Sequence, residues 1–319
     1  MKISICSIFL VSFTQGLSLN EGPSRREFFD TVSKTSIAGV AGFFGFSRSS
    51  YAFEGDSLPF CVIGANGKTG TRCVEGLIER NIPVRATSRT GVYNGLAPEG
   101  AKSSILSPMV CDVTDPTTIE PAIKGVQAVI FAASSSKAGG TPSQVDNDGL
   151  VAVAKACLAA KVPHLVIVSS GSVTKPESPV YKFLNIFGKI MDEKIKGEDA
   201  VRDLYRTAEG CTYTVIRPGG LTEDPPRGVA ALELNQGDTK SGRISRADVA
   251  SLCIESVFYP KSTAGTTFEC YDADTGKSLE SVGFSNILKQ KSDPAAFVSG
   301  RERRGVSFEQ IFSGLEIDV

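Results

Sequence analysis

Between residue 59 and about residue 220, short β-branched runs alternate with longer amphipathic segments. The runs predict six strands, at residues 60–63, 84–87, 109–111, 128–132, 165–168 and 213–216. Apolar residues recur at three- and four-residue spacing between them, most clearly at 71–80 and 149–160, which predicts helices. This alternation is typical of an α/β fold, a doubly wound parallel sheet with helices on both faces.

The alternation weakens beyond residue 220, where only one further strand, at 267–271, and one helix, at 308–315, are predicted. We therefore expect a single domain over residues 53–319, with 221–319 as a small extension on the substrate side. Right-handed crossovers bring the carboxyl ends of parallel strands to one edge of a sheet, and ligands bind at that edge. Functional residues are expected in the segments that follow the strands.

The first 52 residues predict a cleavable bipartite targeting presequence. An apolar stretch at 3–13 is typical of a secretory signal peptide, and Arg25 and Arg26 precede a second apolar run at 36–46, as in a twin-arginine signal. Each run has about 11 residues and a membrane-spanning helix needs about 20, so no permanent membrane span is expected. Two signals in series predict a plastid protein of a secondary-plastid alga, in the thylakoid lumen or associated with thylakoids. A single signal or a stromal transit peptide is the alternative.

Composition argues against two kinds of partner. Lys and Arg number 34 and Asp and Glu number 35, which gives a formal net charge of -1 and no field that would attract nucleic acid. The 8 cysteines are dispersed and His164 is the single histidine, so no metal site is expected. Several cysteines lie in apolar strand-like runs, where a free thiol behaves as a small buried hydrophobe. His164 precedes the fifth strand and is expected to have no role in the site.

A glycine-rich turn follows the first predicted strand and opens the first helix. Its sequence is Gly64-Ala65-Asn66-Gly67-Lys68-Thr69-Gly70. The first glycine permits a tight turn, the second lets the backbone approach a pyrophosphate, and the third allows the helix to pack closely on the sheet. The helix N-terminus adds free N–H groups and a partial positive charge. The turn therefore predicts a dinucleotide site formed by Gly64, Asn66, Gly67, Lys68, Thr69 and Gly70.

The G-x-x-G-x-x-G spacing resembles that of the short-chain dehydrogenase/reductase superfamily, and the chain resembles its atypical, NmrA-like NAD(P)H-binding members, including plastid proteins. The resemblance covers about residues 59–250, and it is carried by GANGKTG, VRATSR, CDVTD, AVIFAA, HLVIVSS, YTVIRPGGL and GDTKSGRISRADVA. It implies a Rossmann fold. It also implies that Asp112 and Val113 border the adenine, that Ala132, Ala133 and Ser134 border the ribose, and that the backbone at Pro218 lies near the nicotinamide.

The end of the second strand indicates which nicotinamide cofactor is bound. An acidic residue there would bind the ribose hydroxyls of NAD, but this chain has Thr87-Ser88-Arg89-Thr90. Arg89 can make charge-assisted contacts with the 2′-phosphate of NADP, and the hydroxyl of Ser88 can assist. These residues favour NADP(H) over NAD(H). The alternative is that Arg89 is an ordinary solvated surface arginine.

The catalytic residues are less clearly marked. Members of the superfamily that transfer hydride use a Ser at the end of the fifth strand and a Tyr farther along the chain. A Lys four residues after this Tyr lowers the pKa of the tyrosine. This chain offers Ser170, beside Ser169, and Tyr181 as candidate catalytic residues. Position 185 is Asn, so the standard pair is broken. Tyr181 is therefore a candidate proton donor or, alternatively, a packing tyrosine.

The sequence favours an NADPH-dependent oxidoreductase that acts on a small-molecule substrate, a small or isoprenoid-type carbonyl or enone. A pigment-pathway epimerase or reductase would differ only in its substrate. The alternative from another class is a non-catalytic NADP(H)-binding redox sensor or assembly factor, with thylakoid protein complexes as its partners.

Overall fold

The computed structural model describes residues 58–95, 105–137, 139–186, 188–279 and 298–318. The predicted presequence lies outside these residues. The strands are β1 (Phe60–Ile63), β2 (Val84–Ser88), β3 (Leu106–Val110), β4 (Ala128–Phe131), β5 (His164–Val168), β6 (Thr212–Pro218), β7 (Gly220–Thr222), β8 (Leu232–Asn235), β9 (Lys240–Ser241), β10 (Arg243–Ser245), β11 (Thr266–Asp272) and β12 (Lys277–Ser278).

The α-helices are α1 (Lys68–Glu79), α2 (Ile119–Ile123), α3 (Leu150–Ala159), α4 (Pro179–Asn185), α5 (Ile190–Tyr205), α6 (Arg246–Phe258), α7 (Pro260–Thr263) and α8 (Phe308–Phe312). A π-helical turn at Ser143–Gly149 leads directly into α3, and short 3-10 turns lie at Pro116–Thr118 and Val229–Ala231.

Eight strands form the central sheet, in the order β3-β2-β1-β4-β5-β6-β11-β8. Neighbouring strands are parallel throughout, except that β8 runs antiparallel to β11 at one edge. Two-stranded pairs, β7 with β10 and β9 with β12, lie beside this sheet. The predicted α/β fold, a Rossmann doubly wound sheet, is confirmed.

All six predicted strands are present, and β1 has the predicted bounds. The prediction for β3 was wrong in position, because the strand spans Leu106–Val110 and ends before Cys111. This strand lies at the edge of the sheet, where Ser107 and Pro108 are exposed, and an edge strand tolerates a proline that a central strand would exclude. The apolar pattern alone therefore does not predict the bounds of β3 accurately.

Residues beyond 220 contribute to the sheet itself. Strand β11 pairs in parallel with β6 and antiparallel with β8, and α6 packs against α1. The predicted helix at 308–315 is shorter than expected and ends at Phe312. These residues therefore form part of the central sheet as well as an extension beyond it.

The core lies on both faces of the sheet. Phe60 and Val62 of β1 pack in one cluster with residues of α1, α6 and α8, while Cys61 and Ile63 pack in a second cluster with residues of α2, α3 and α5. All four side chains are buried, as expected for a central parallel strand that has helices on both sides. The doubly covered sheet fixes the carboxyl end of β1, where the glycine-rich turn begins.

The described cysteines other than Cys211 are buried free thiols, in agreement with their apolar sequence context. His164 is also buried, and its Nε2 lies 2.8 Å from the hydroxyl of Thr214. Burial lowers the pKa of His164 to about 4. None of the helices in the described ranges combines the length and the apolar character that a bilayer crossing requires.

Candidate functional site

The glycine-rich turn brings three chain segments into close contact at the carboxyl end of β1. Gly64 has a φ of +82°, and a Cβ placed on it would lie 2.8 Å from the backbone of Ala133, after β4. A Cβ on Gly70 would lie 2.2 Å from the carbonyl oxygen of Gly64. Only glycine fits these two positions. The turn therefore holds the amino end of α1, whose first-turn N–H groups have no intrahelical acceptor, at the edge of the sheet.

Lys68 and Thr69 begin α1 and lie at this edge, the first exposed and the second half-buried. The ammonium of Lys68 lies 3.2 Å from the carboxylate of Glu223, and Arg246 at the start of α6 lies 2.8 Å from the same carboxylate oxygen. Exposed pairs of this kind contribute little stability and exchange partners easily. The pair with Glu223 therefore does not fix Lys68 in place, and its contact with a phosphate stays a prediction.

The side chain of Asn66 joins the turn to the loop that follows β2. Its Nδ2 donates to the carbonyl oxygen of Val92 at 2.8 Å, and its Oδ1 accepts from the amide of Asn94 at 2.8 Å. The hydroxyl of Ser88 donates to the same carbonyl at 2.9 Å. The two segments in which we predict phosphate contacts are thus tied together by side chains.

Arg89 lies on that loop and is exposed. A Cβ placed on Gly139 would lie 3.5 Å from its guanidinium, so this side chain extends toward the segment after β4. Residues 84–95 contain no Asp or Glu. The described end of β2 therefore presents a guanidinium and hydroxyl groups where a carboxylate would be needed to bind the ribose of NAD.

The residues expected beside adenine and ribose follow β3 and β4 at the same edge. Asp112 accepts hydrogen bonds from the amide and the hydroxyl of Thr114, which closes a turn, and Val113 is buried against Gly149. Ala132 and Ala133 run past the glycine turn, and the hydroxyl of Ser134 donates to Asp146 at 2.7 Å. The structure thus brings the predicted cofactor residues to one edge, and their contacts with a cofactor stay a prediction.

The candidate catalytic hydroxyls of Ser170 and Tyr181 are both engaged within the protein. The hydroxyl of Ser170 donates to the carbonyl oxygen of Gly171 at 3.1 Å, and the buried phenol of Tyr181 donates to the carboxylate of Asp192. Burial, with that hydrogen bond, raises the pKa of Tyr181 to about 12. An activated tyrosine of the superfamily has a lowered pKa, so the environment of Tyr181 differs from the standard one. Their catalytic role stays a prediction.

A buried charged cluster lies behind the end of β5, and the sequence analysis did not predict it. Arg217 of β6 donates to Glu198 of α5 at 2.6 Å and to Glu269 of β11 at 3.3 Å, and the hydroxyl of Ser169 donates to Glu198. Both carboxylates are buried. Arg217 and Glu269 are charged residues on two different strands, so neither forms a local sequence motif that would predict the cluster. The one available signal was the spacing of charged residues on α5, where Glu198 and Arg202 are four residues apart.

The pKa values of the two buried carboxyl groups shift in opposite directions because their surroundings differ. Burial alone would raise the pKa of Glu198, but the Arg217 guanidinium holds it below its usual value. Burial and the nearby Asp238 raise the pKa of Glu269 to about 8, and the more distant Arg217 compensates only in part. Within one cluster, the pKa of Glu198 is therefore lowered and the pKa of Glu269 is raised.

Residues 64–260 match the NAD(P)H-binding family. The chain is 33% identical over 216 residues to the chloroplastic protein At2g34460 of Arabidopsis thaliana, covering 63% of this chain and 72% of the relative. It is 28% identical to the sanguinarine reductase of Eschscholzia californica, over 74% of this chain and 97% of that enzyme. It is 27% identical to the photosystem II assembly factor Ycf39 of Trieres chinensis, over 66% of this chain and 63% of the factor.

A short-chain dehydrogenase/reductase from Veillonella parvula, solved in complex with NADP, superimposes with a TM-score of 0.54 at 16% identity, covering 69% of this chain and 97% of that structure. This likeness concerns the fold alone. The matched residues begin at Gly64 and include the glycine-rich turn, β2, and the strand ends at which the predicted site residues lie. The chain belongs to the NAD(P)H-binding family, in its atypical, NmrA-like short-chain dehydrogenase/reductase group.

Proposed function

We propose that the protein is an NADP(H)-dependent oxidoreductase of the plastid that reduces a small or isoprenoid-type carbonyl or enone. The observation that carries the proposal is the joined pair of loops at the carboxyl edge, the glycine-rich turn and the Arg89 loop, tied together through Asn66. The first suits a diphosphate at a helix N-terminus, and the second suits an additional phosphate. The name of the sanguinarine reductase supports a reductase.

The plastid location rests on the predicted presequence and on the chloroplastic relative. We place the protein in the thylakoid lumen or at the thylakoid surface, with the stroma as the alternative. Thylakoid fractionation of the native alga, with immunodetection before and after protease treatment, separates the three locations.

Replacing Arg89 with glutamate is expected to weaken NADPH binding about 10- to 100-fold, because one charge-assisted contact is lost and a like charge then faces the 2′-phosphate. Affinity for NADH, which lacks that phosphate, should stay within about twofold of the unmodified protein. Isothermal titration calorimetry of the processed protein with each nucleotide measures both effects.

The matched control is Arg206→Glu, the same charge change at an exposed arginine that directly follows α5 and pairs with the exposed Asp203 three residues before it. It should leave both affinities unchanged. Equal loss of both nucleotides in Arg89→Glu would contradict the assignment of NADP(H), and failure of the unmodified protein to bind either nucleotide would overturn the proposed function.

One observation favours a second candidate function, a non-catalytic NADP(H)-binding redox sensor or assembly factor. The Tyr181 phenol is held by Asp192, and its pKa is raised to about 12, opposite to what proton transfer at neutral pH requires. The name of the Ycf39 relative is consistent with this candidate. The choice depends on whether the Tyr181 hydroxyl takes part in turnover.

If the protein is a reductase that uses Tyr181, Tyr181→Phe is expected to lower the rate of NADPH oxidation about 100-fold or more, since general acid catalysis contributes about that much. A panel of quinones and aldehydes, followed by NADPH absorbance, measures the rate. Tyr205→Phe is the matched control, because the Tyr205 hydroxyl is buried without a hydrogen-bond partner among the described residues. NADPH binding without turnover, together with co-purified thylakoid subunits, would favour the second candidate.

A further inference from the structure

Two short strands bring a pair of opposite charges to one place. Strands β7 and β10 pair in parallel, and Thr222 and Ser245 are the last residues in register. Glu223 and Arg246 directly follow these two residues, so they leave the pair at the same end. The guanidinium of Arg246 lies 2.8 Å from the carboxylate of Glu223. This ion pair therefore joins the segment that follows β7 to the start of α6.

Helices α1 and α6 lie side by side and point in the same direction. At their carboxyl ends, Arg80, which directly follows α1, lies 3.5 Å from Glu255 in the last turn of α6. At their amino ends, Lys68 and Arg246 contact the same carboxylate oxygen of Glu223, at 3.2 and 2.8 Å. Both helices thus direct the positive end of their dipole toward the edge at which the diphosphate site is predicted.

The three charged side chains at this edge differ in how firmly they are held. The Arg246 side chain is 17% exposed, whereas those of Glu223 and Lys68 are 51% and 73% exposed. An ion pair with an exposed carboxylate contributes little stability, so the anion is easily exchanged. A guanidinium binds phosphate oxygens in a fixed fork geometry, and a diphosphate offers more negative charge and more acceptor oxygens than one carboxylate. Arg246 is therefore a well-held cation whose partner is replaceable.

The loop that carries Glu223 is anchored at its other end. The carboxylate of Asp248, in the first turn of α6, accepts from the backbone amides of Arg227 at 2.8 Å and of Gly228 at 3.0 Å. All residues from 223 to 228 are exposed. Rotation of the Glu223 side chain into solvent therefore frees both cations without breaking the bonds that anchor the loop.

We propose that Arg246 is a further residue that binds the diphosphate of NADP(H), and that Glu223 is an internal anion that occupies Arg246 and Lys68 until the cofactor displaces it. The inference rests on the proposed NADP(H)-binding function. It extends the site from α1 to the start of α6, and it makes Glu223 a competitor of the cofactor. Removing the charge of Glu223 should therefore improve binding, which the loss of a merely structural contact would not do.

The test compares NADP⁺ with adenosine 2′-monophosphate, which carries the 2′-phosphate but has no diphosphate. Glu223→Gln is expected to tighten NADP⁺ binding about fivefold, because the two cations no longer have to release a charged partner. Arg246→Met is expected to weaken NADP⁺ binding about tenfold, by loss of a charge-assisted contact. Neither variant should change the affinity for the monophosphate more than about twofold. Calorimetry measures NADP⁺ binding, and displacement of NADPH fluorescence measures binding of the monophosphate.

The double variant, Glu223→Gln with Arg246→Met, tests whether the two residues act through each other. The gain from Glu223→Gln should fall below about twofold when Arg246 is already methionine, since interacting residues give non-additive effects. The matched controls are Asp203→Asn and Arg206→Met, which remove the two charges of an ion pair in which both side chains are more than half exposed. Both controls should leave NADP⁺ affinity unchanged.

Unchanged or weaker NADP⁺ binding by Glu223→Gln would overturn this inference and leave the proposed function intact. Because Glu223 is exposed, that result does not depend on whether Arg246→Met folds. An undiminished gain in the double variant would also overturn the inference, as would equal effects of either single variant on the two ligands. If the unmodified protein binds neither ligand, the proposed function itself fails.

Discussion

Replacing Gly64 with alanine is expected to lower NADPH affinity about 100-fold, a loss of about 2.8 kcal/mol, because the α1 amides that would bind the diphosphate are displaced. The added Cβ would lie 2.8 Å from the backbone of Ala133, on the neighbouring strand end, and the residue would have to keep a φ of +82°. Either the turn or β4 must move, and the first-turn amides of α1 move with it. Calorimetry with NADPH measures the loss.

Gly210→Ala is the control that separates the steric clash expected at Gly64 from the strain of a positive φ. Gly210 also has a positive φ, +72°, but nothing lies within 4 Å of its added Cβ. That variant should lose about 1 to 2 kcal/mol of stability from the left-handed conformation and should bind NADPH normally. If Gly64→Ala binds NADPH as well as Gly210→Ala does, the glycine-rich turn is not the diphosphate site.

Arg217→Met is expected to cost about 3–5 kcal/mol of stability, the scale for removing one partner of a buried ion pair. Arg217 is the cation between Glu198 and Glu269, and its removal leaves the ionised Glu198 in the core with less compensation. A domain of this size should then melt about 10 °C lower. Thermal denaturation followed by circular dichroism measures the change.

The control for this variant is Arg206→Met, which breaks an ion pair with Asp203 in which both side chains are more than half exposed. Its melting temperature should change by no more than about 2 °C, since exposed pairs contribute less than about 1 kcal/mol. Similar losses for the two arginines would show that the buried cluster does not stabilise the fold as the geometry suggests.

The central strands could be predicted from the sequence because burial on both faces leaves a continuous apolar run. Strand β1 illustrates this, since all four of its side chains are buried between Pro59 and the turn at Gly64. Strand β8 could not be predicted, because Leu232–Asn235 has only four residues, too few for its alternation to stand out, and it pairs with a strand more than thirty residues later. Its position is decided by long-range pairing.

The candidate site also has parts that could be predicted from the sequence and parts that could not. The glycine-rich turn and the Arg89 loop are local motifs, and the structure places both at the carboxyl edge of the sheet. The partners of Arg217 come from distant segments, so no spacing in the sequence relates Arg217 to Glu198 or to Glu269. Buried ion pairs of this type are products of the tertiary fold.

The side-chain bridge from Asn66 to Val92 and Asn94 has a consequence for the thermodynamics of binding. A loop that is already clamped to its neighbour loses little conformational entropy when a ligand arrives, so the site is preorganised. The clamp also couples the proposed diphosphate and 2′-phosphate subsites mechanically, so that a fragment that binds at either one should meet a neighbouring loop that is already ordered.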